Sequence, residues 1–294
     1  MPTTDDPLRG ITLVVAATVL FGSADTISKY LAGNLPIIEF IWIRYILFVA
    51  IAMVLGRRQG LSLLRPNNPR WQVVRGLCIV GSSILFVYGI RVMTMAQATT
   101  ISFLSPMVVT ILSIPILHEV VGIRRWAAVG AGLLGMLIVV RPGLGGFQPA
   151  ALFGVASSTC WAMTLIITRK IASTDAPQTT VFWSAAIGAV MLTAMLPFVA
   201  VWPTGWQFGL ALIMGTLASL GQWLVILAHR LAPASLLAPF NYTQLIWVTI
   251  SGFLVFGNLP DGYTFLGASI IIASGLYTAH RERVRRREQL AAAR

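Results

Sequence analysis

The chain has 294 residues, of which 57% are hydrophobic and only 10% are charged, and its mean hydropathy is +0.82. Such a composition leaves too little polar surface for a soluble domain of this length, which indicates that the chain uses lipid as its solvent. The net charge of +12 belongs mostly to short loops and a basic tail. It therefore indicates membrane topology and attraction to anionic lipid rather than nucleic-acid binding.

Ten apolar stretches of about 20 residues are long enough to cross a hydrocarbon core about 30 Å thick as helices, the fifth being the shortest. The predicted spans are 11–31, 36–56, 71–89, 96–115, 127–140, 150–167, 180–201, 208–228, 235–256 and 262–279. Their apolar runs are continuous rather than alternating, which argues against a β-barrel. The sequence thus predicts an all-α integral membrane protein with ten transmembrane helices.

The positions of Lys and Arg predict the orientation. With a cytoplasmic N-terminus, 16 of the 21 basic residues fall in inner loops and tails, whereas Arg44 and Arg75 lie inside spans. We therefore expect both termini in the cytoplasm and a multi-pass protein of a bacterial-type inner (plasma) membrane. The N-terminal segment has neither a basic n-region nor a small-residue cleavage site, so we expect the first helix to be retained.

The two halves of the chain repeat each other. Sliding the first half by 140 residues pairs Phe21 with Trp161 and Lys29 with Arg169. Since each half holds five spans, an odd number, the halves must have opposite orientations in the membrane, as in many secondary transporters. We predict a first repeat over 1–145, a second over 146–280 and a basic cytoplasmic tail over 281–294.

The segment 93–143 carries a family resemblance. It has small residues, then Pro106 within the fourth span, then Glu119 before a glycine-rich fifth span, and Arg44 lies in the apolar second span. This pattern resembles the EamA-type carriers of the drug/metabolite transporter superfamily, over essentially the whole chain. Within that family, the Trp, Phe and Met content resembles the YddG-type exporters of aromatic and other amino acids. The second half of the chain has no charged residue at the positions equivalent to Arg44 and Glu119.

The resemblance implies that the first, third, fourth, sixth, eighth and ninth helices line a cavity and that the fifth and tenth are packing supports. Small residues four apart, Ala131 with Gly135 and Ser269 with Ala273, also favour close packing of those two helices. On the cavity helices, rings would stack on a substrate, and amides and hydroxyls would bind a zwitterionic head. The predicted substrate-binding residues are Phe21, Asp25, Tyr88, Thr99, Ser102, Trp161, Thr164, Gln222, Trp223, Asn241 and Tyr242.

Ionisable residues inside spans carry the strongest functional signal, since a charge near the bilayer centre costs about 2.5–3.5 kcal/mol. Arg44 has two interpretations: a structural lock to another helix, or a group that binds a substrate carboxylate or gates transport. Asp25 and Lys29 have the i,i+4 spacing of an intrahelical ion pair. In the alternative, Asp25 faces the cavity and holds a substrate ammonium or a coupling proton.

Four residues are predicted to be structural or gating: Arg44, Pro106, Glu119 and Pro239. Each proline lies well inside a span, where it either kinks the helix or frees carbonyls that can bind a substrate. On the fourth helix, Thr99, Ser102 and Pro106 are predicted to share one face.

The sequence predicts a secondary carrier that exports small organic metabolites by alternating access, with aromatic and other apolar amino acids as the expected substrates. The alternative is a multidrug or other metabolite carrier of the same fold, for nucleosides or S-adenosylmethionine. An intramembrane enzyme would need a nucleophile with a base, or paired acids, and the spans show only scattered single groups. We expect no cofactor and no metal, and as partners the substrate and the lipid bilayer; homodimerisation is left open.

Overall fold

The computed structural model describes residues 7–118, 121–141, 149–199, 201–232 and 234–292. Within these ranges the chain is helical and forms no strand. The α-helices are α1 (Pro7–Ala32), α2 (Ile37–Gly56), α3 (Pro69–Val92), α4 (Met95–Ser102), α5 (Ser105–Leu117), α6 (Ile123–Val140), α7 (Ala151–Ile171), α8 (Pro177–Met195), α9 (Gly205–Leu231), α10 (Ala234–Leu237), α11 (Thr243–Phe256) and α12 (Gly262–Ala292). Short 3-10 helices lie at Arg57–Leu64, Leu196–Phe198 and Ala238–Tyr242.

In the described ranges, seven helical segments are long and apolar enough to cross a membrane, if α4 and α5 are taken together as Met95–Leu117. Two further apolar segments are shorter, Trp126–Val140 in α6 and Gly262–Thr278 in α12. The prediction of an all-helical membrane protein is confirmed. The count of ten spans stays a prediction.

The fourth predicted span is interrupted rather than continuous. Helix α4 ends at Ser102 and α5 begins at Ser105. Pro106 lies in the first turn of α5, where a residue without an N–H is tolerated. The prediction that Thr99, Ser102 and Pro106 share one helix face is wrong, because two separate helices carry them.

The ninth predicted span is interrupted in the same way. The four-residue helix α10 is followed by the 3-10 helix Ala238–Tyr242, and only then does α11 begin. Pro239 lies in the first turn of that 3-10 helix. Both prolines therefore begin helical segments instead of kinking long ones.

The helices form two bundles, each of which takes helices from both repeats. In the first bundle, α1 packs against α9 and α11, and α2 packs against α9. In the second bundle, α7 packs against α3, α4 and α5, and α8 packs against α3. Exchange of the two halves of the chain converts each pairing of one bundle into a pairing of the other. The bundles meet where α2 contacts α8 and where α4 contacts α11.

Helices α6 and α12 pack on each other beside the bundles. They approach closely at two glycines: a Cβ placed on Gly267 would lie 2.5 Å from the carbonyl oxygen of Gly135. The hydroxyl of Ser274 on α12 also donates to the carbonyl of Ala128 on α6, at 2.6 Å. Small residues therefore do bring these two helices together, although the α12 member of the contact is Gly267 rather than Ser269 or Ala273.

Contacts between helix ends assign the links to two sides of the molecule. Lys29, near the end of α1, contacts Met93 just after α3 and the ring of Phe256 at the end of α11. Glu39, at the start of α2, accepts a hydrogen bond from the backbone N–H of Val201, between α8 and α9. These ends share one side, which we name the outer side after the orientation predicted from charge; the opposite side is the inner side.

Candidate functional site

A polar cluster lies inside the first bundle, where α1, α2 and α11 face one another. The Nε2 group of Gln244 donates a hydrogen bond of 3.1 Å to Oδ2 of Asp25, and the guanidinium of Arg44 lies close enough to interact with the Asp25 charge. Both charged side chains are partly exposed. We call Asp25, Arg44 and Gln244 the polar centre.

The polar centre lies well below the outer ends of its helices. Asp25 precedes the end of α1 at Ala32 by seven residues, and Arg44 follows the start of α2 at Ile37 by seven residues. At a rise of about 1.5 Å per residue, both groups lie about 10 Å inside the helices. An acid and a guanidinium are thus held at the same depth within membrane-spanning segments.

The predicted ion pair between Asp25 and Lys29 is not formed. The Lys29 ammonium donates instead to the backbone carbonyl of Met93, and it lies 5.2 Å from the centroid of the Phe256 ring. Within the described part of the chain, the hydrogen bond that Asp25 receives comes from Gln244. The alternative in which Asp25 faces a cavity stays a prediction.

An aromatic ring that the sequence analysis did not select lies beside the polar centre. The indole Nε1 of Trp247 donates to the hydroxyl of Ser23 at 2.9 Å. Its ring packs on Gly22, where an added Cβ would come within 2.6 Å of Trp247 Cδ1. Trp247 is one helical turn after Gln244, so both side chains face α1. The i,i+3 spacing of these two residues was the available sequence signal.

The predicted residues of α9 and the middle of α1 lie in the same bundle. The Phe21 ring packs against Gly221, since a Cβ placed there would be 3.1 Å from the ring. The adjacent Gln222 and Trp223 are both partly exposed. Within the part of the chain that the structure describes, Gln222 has no hydrogen-bond partner, so its amide is available to a ligand.

The predicted residues of α3 and α7 lie in the second bundle, away from the polar centre. The Tyr88 ring stacks on Phe153, with 5.6 Å between centroids. Trp161 is 37% exposed. Thr164 is only 1% exposed, and its hydroxyl bonds to the carbonyl of Cys160 at 3.0 Å. A hydroxyl bonded to its own helix is a poor ligand. Of this set, the rings of Tyr88 and Trp161, which are 38% and 37% exposed, keep available surface.

The remaining predicted residues cluster around the two helix breaks. Tyr242 makes an edge-to-face contact with Phe103, 4.8 Å between centroids, and its hydroxyl packs on Gly275. Asn241 is exposed, and Ser102 bonds back to the carbonyl of Ala98. The Thr99 hydroxyl is buried and has no hydrogen-bond partner among the described residues. Glu119 lies outside the described residues.

Arg75 is a partly buried cation whose role the sequence analysis did not assign. Its Nε donates to Thr168 at 2.6 Å, and its Nη1 donates to the Thr180 carbonyl at 3.2 Å and to the Ser184 hydroxyl. These bonds join α3, α7 and α8 within the second bundle. The Arg75 guanidinium is therefore bound to protein groups, whereas the Arg44 guanidinium donates no hydrogen bond in the described part of the chain.

The arrangement at the polar centre suits a small zwitterionic molecule. A carboxylate can bind an ammonium, a guanidinium can form a bidentate contact with a carboxylate, and an indole ring can stack on an aromatic ligand. In the described residues, no group of three or more His, Cys, Asp or Glu side chains is placed to hold a metal. The site therefore has the groups to bind and orient a metabolite.

Comparison with known proteins identifies similar chains. An S-adenosylmethionine uptake transporter of Rickettsia felis is 26% identical over 94% of this chain and 94% of its own. A riboflavin transporter of Vibrio cholerae is 29% identical over 91% and 92%. The pseudopaline exporter CntI of Pseudomonas aeruginosa is 24% identical over 90% and 94%. None of these is named as an amino-acid exporter, so the predicted amino-acid substrate gains no support from them.

A protein of known crystal structure has the same fold, with a TM-score of 0.64, 18% sequence identity and coverage of 93% of this chain and 97% of that one. The model of the EamA-like transporter family matches residues 8–141 and again residues 148–278. These two matches together cover almost the whole chain, and they agree with the family that segment 93–143 resembles. The protein is therefore a member of the EamA-like transporter family, a multi-pass membrane carrier of small molecules.

Proposed function

We propose that the protein is a secondary carrier for metabolites that combine an amino-acid zwitterion with an aromatic ring system, and that S-adenosylmethionine is such a substrate. This proposal replaces free aromatic amino acids as the expected substrates. It is supported by the S-adenosylmethionine uptake transporter of Rickettsia felis, similar over 94% of this chain. The observation that carries it is the polar centre.

Ionised groups about 10 Å inside membrane-spanning helices are unfavourable when they face lipid. Insertion of a charged residue at the centre of the bilayer costs about 2.5–3.5 kcal/mol. Asp25 and Arg44 nevertheless keep exposed surface. We infer that this surface faces an aqueous cavity, where it can be covered by substrate.

The three chemical parts of S-adenosylmethionine match three features of the site. Its carboxylate would bind the Arg44 guanidinium, and its ammonium would bind the Asp25 carboxylate that Gln244 orients. The adenine ring would stack on Trp247, whose indole is held in place by its hydrogen bond to Ser23. A neutral flavin carries no charged group that could bind either Asp25 or Arg44.

We also propose the membrane arrangement predicted from the sequence. The chain would cross the inner membrane ten times, with both termini cytoplasmic, a first repeat over 1–145, a second over 146–280 and a tail over 281–294. The packing of α1 with α9, matched by that of α7 with α3, supports two related halves. Reporter fusions after Arg65 and Lys170 should report the cytoplasm, and a fusion near Gly205 the outside; a reversal of any of these would contradict the orientation.

Counterflow in liposomes tests the substrate. Purified protein in vesicles loaded with unlabelled S-adenosylmethionine should accumulate the labelled compound, and the Asp25→Asn and Arg44→Gln variants should lose most of this exchange. Parallel vesicles should be loaded with riboflavin, phenylalanine or tryptophan. Exchange of riboflavin alone, or of the free amino acids alone, would contradict the proposal and would identify the compound that the protein carries instead. Since exchange measures both directions, the result does not depend on whether the cell uses the carrier for uptake or export.

A further inference from the structure

We propose that Lys29 is a gate residue that closes the outer entrance to the polar centre by joining the two bundles, and that this contact opens during each transport cycle. The proposal depends on the family's transport activity and not on which substrate is carried.

The position of Lys29 places it directly above the polar centre. It is four residues after Asp25 on α1, so the two side chains share one helix face. The rise of the helix puts Lys29 about 6 Å closer to the outer side than Asp25. Any route from the outer side to Asp25 along this face of α1 must therefore pass Lys29.

The partners of Lys29 come from both bundles. Its ammonium donates to the carbonyl of Met93, in the link from α3 to α4 of the second bundle. It also lies over the ring of Phe256, at the end of α11 in the first bundle, 5.2 Å from the centroid. A partly buried cation thus binds a backbone acceptor of one bundle and an aromatic face of the other.

Helices α4 and α11 are also in close contact at this level. Met95 is the first residue of α4, and Gly252 is one turn before the end of α11, so both are near the outer side. A Cβ placed on Gly252 would lie 3.3 Å from the Cβ of Met95. The absence of a side chain at Gly252 lets the two bundles close beneath the Lys29 contact.

The chemistry of the contact suits a joint that opens and closes. Lys29 is paired with a neutral carbonyl and a ring rather than with a carboxylate, so separating them leaves no second unpaired charge. The repeat also supplies a cation at the equivalent place on the inner side: Arg169, 140 residues after Lys29, is two residues before the end of α7. Alternating access requires that the outer joint be released when the inner side closes.

Cysteine cross-linking tests the gate in the full-length protein. The background is a variant in which Cys78→Ala and Cys160→Ala remove the native thiols. Met95→Cys and Gly252→Cys are then added, since the Cβ separation across this contact is close to the roughly 3.8 Å of a disulfide. An oxidant should cross-link this pair, the cross-link should stop transport, and a reductant should restore it.

The Lys29→Gln substitution should then slow cross-linking of the pair by about two- to tenfold, as expected when a hydrogen bond that favours the closed state is lost. Lys29→Arg, which keeps a donor and a cation, should retain most of the wild-type rate. Phe256→Leu keeps apolar volume but removes the ring, and it should shift the rate in the same direction as Lys29→Gln. Arg91→Gln is the matched control, because Arg91 is an exposed cation on the same side, and it should leave the rate unchanged.

Two results would overturn the gate. One is an unchanged cross-linking rate in both Lys29→Gln and Phe256→Leu. The other is normal transport by the cross-linked protein, which would show that the outer contact need not open. The cross-linking rates need no substrate, so failure of S-adenosylmethionine exchange would count against the proposed function and leave the comparison of Lys29→Gln, Phe256→Leu and Arg91→Gln intact.

Discussion

Arg75 on α3 donates a hydrogen bond to Ser184 on α8. The repeat brings the equivalent helices α9 and α2 together at the same place, but there the arginine is on the helix equivalent to α8. The residues related to this pair by 140 positions are Gly215 and Arg44. They also touch, since a Cβ on Gly215 would lie 3.2 Å from the Cα of Arg44. Each bundle thus holds one partly buried arginine at an equivalent helix crossing. Arg75 is bonded to its own bundle, whereas Arg44 faces Asp25.

This difference predicts that the two arginines fail in different ways when replaced. Arg75→Ala removes bonds to Thr168, Thr180 and Ser184, so it should lower the free energy of unfolding by about 1.5–3 kcal/mol. Arg75→Lys should recover only part of this stability, because one ammonium cannot reproduce the hydrogen bonds of the planar guanidinium. Arg44→Ala should change stability little and reduce transport. Thermal unfolding in detergent and counterflow should be measured on both alanine variants. A loss of stability in Arg44→Ala together with a loss of transport alone in Arg75→Ala would contradict the assignment.

Asp25→Asn tests the role of charge at the polar centre. Asparagine keeps the shape and can still accept the Gln244 hydrogen bond, but it cannot pair with an ammonium. A hydrogen bond to a charged group contributes about 1.5–3 kcal/mol, so KM for S-adenosylmethionine should rise roughly ten- to 150-fold while the amount of folded protein is unchanged. Asp261→Asn, on the outer surface, should leave KM at the wild-type value. An unchanged KM in Asp25→Asn would remove Asp25 from the substrate site.

The sequence was sufficient to predict the helical class, the family and a packing role for the fifth and tenth helices, because hydropathy and small-residue spacing are local properties. It did not identify Gly267 as the contact on α12. It was not sufficient for the fourth helix. Pro106 predicted a kink at mid-span, yet a proline ring also clashes with the carbonyl four residues earlier. That residue is Ser102, where α4 ends. The chain relieves the clash by ending one helix and beginning another.

The candidate site was harder to predict, because its pairings are remote in sequence. The i,i+4 spacing of Asp25 and Lys29 favoured an intrahelical pair, but Gln244 binds the acid from 219 residues away and Met93 binds the cation from 64 residues away. Trp247 and Arg75 were not selected for the same reason. Their partners are ordinary hydroxyls on other helices, and only the packing of the bundles brings them into range.

The contact between α6 and α12 predicts a strong effect of a single methyl group. In Gly267→Ala the new Cβ would lie 2.5 Å from the backbone carbonyl of Gly135, which cannot rotate away. We expect a loss of about 1–3 kcal/mol of stability, typical of overpacking. Gly130→Ala is the matched control on α6, because nothing lies within 4 Å of that position. Thermal unfolding of both variants checks the contact, and equal midpoints would show that α6 and α12 are farther apart.

The last prediction concerns Asp261, which caps α12 on the outer side. Its Oδ1 accepts bonds from the backbone N–H and the hydroxyl of Thr264, at 2.9 and 2.6 Å, and its Oδ2 pairs with Arg141. Partial burial alone would raise the pKa of Asp261, but the bonds from Thr264 and Arg141 outweigh it and lower the pKa below its ordinary value. A lowered carboxylate pKa means that the charged form stabilises the fold.

Asp261→Ala should therefore lower stability at neutral pH by about 0.5–2 kcal/mol, the usual cost of losing an N-cap, with little added by the exposed ion pair. Asp261→Asn keeps a capping acceptor and should cost less. Because the folded pKa is depressed, the stabilisation is fully present above the unfolded value of about 3.9 and is lost as pH falls through the folded pKa. Thermal unfolding of wild type and Asp261→Asn from pH 7 down to pH 3 should show the two midpoints converging below about pH 4. A gap that stayed constant over this range would mean that the Asp261 charge does not stabilise the fold.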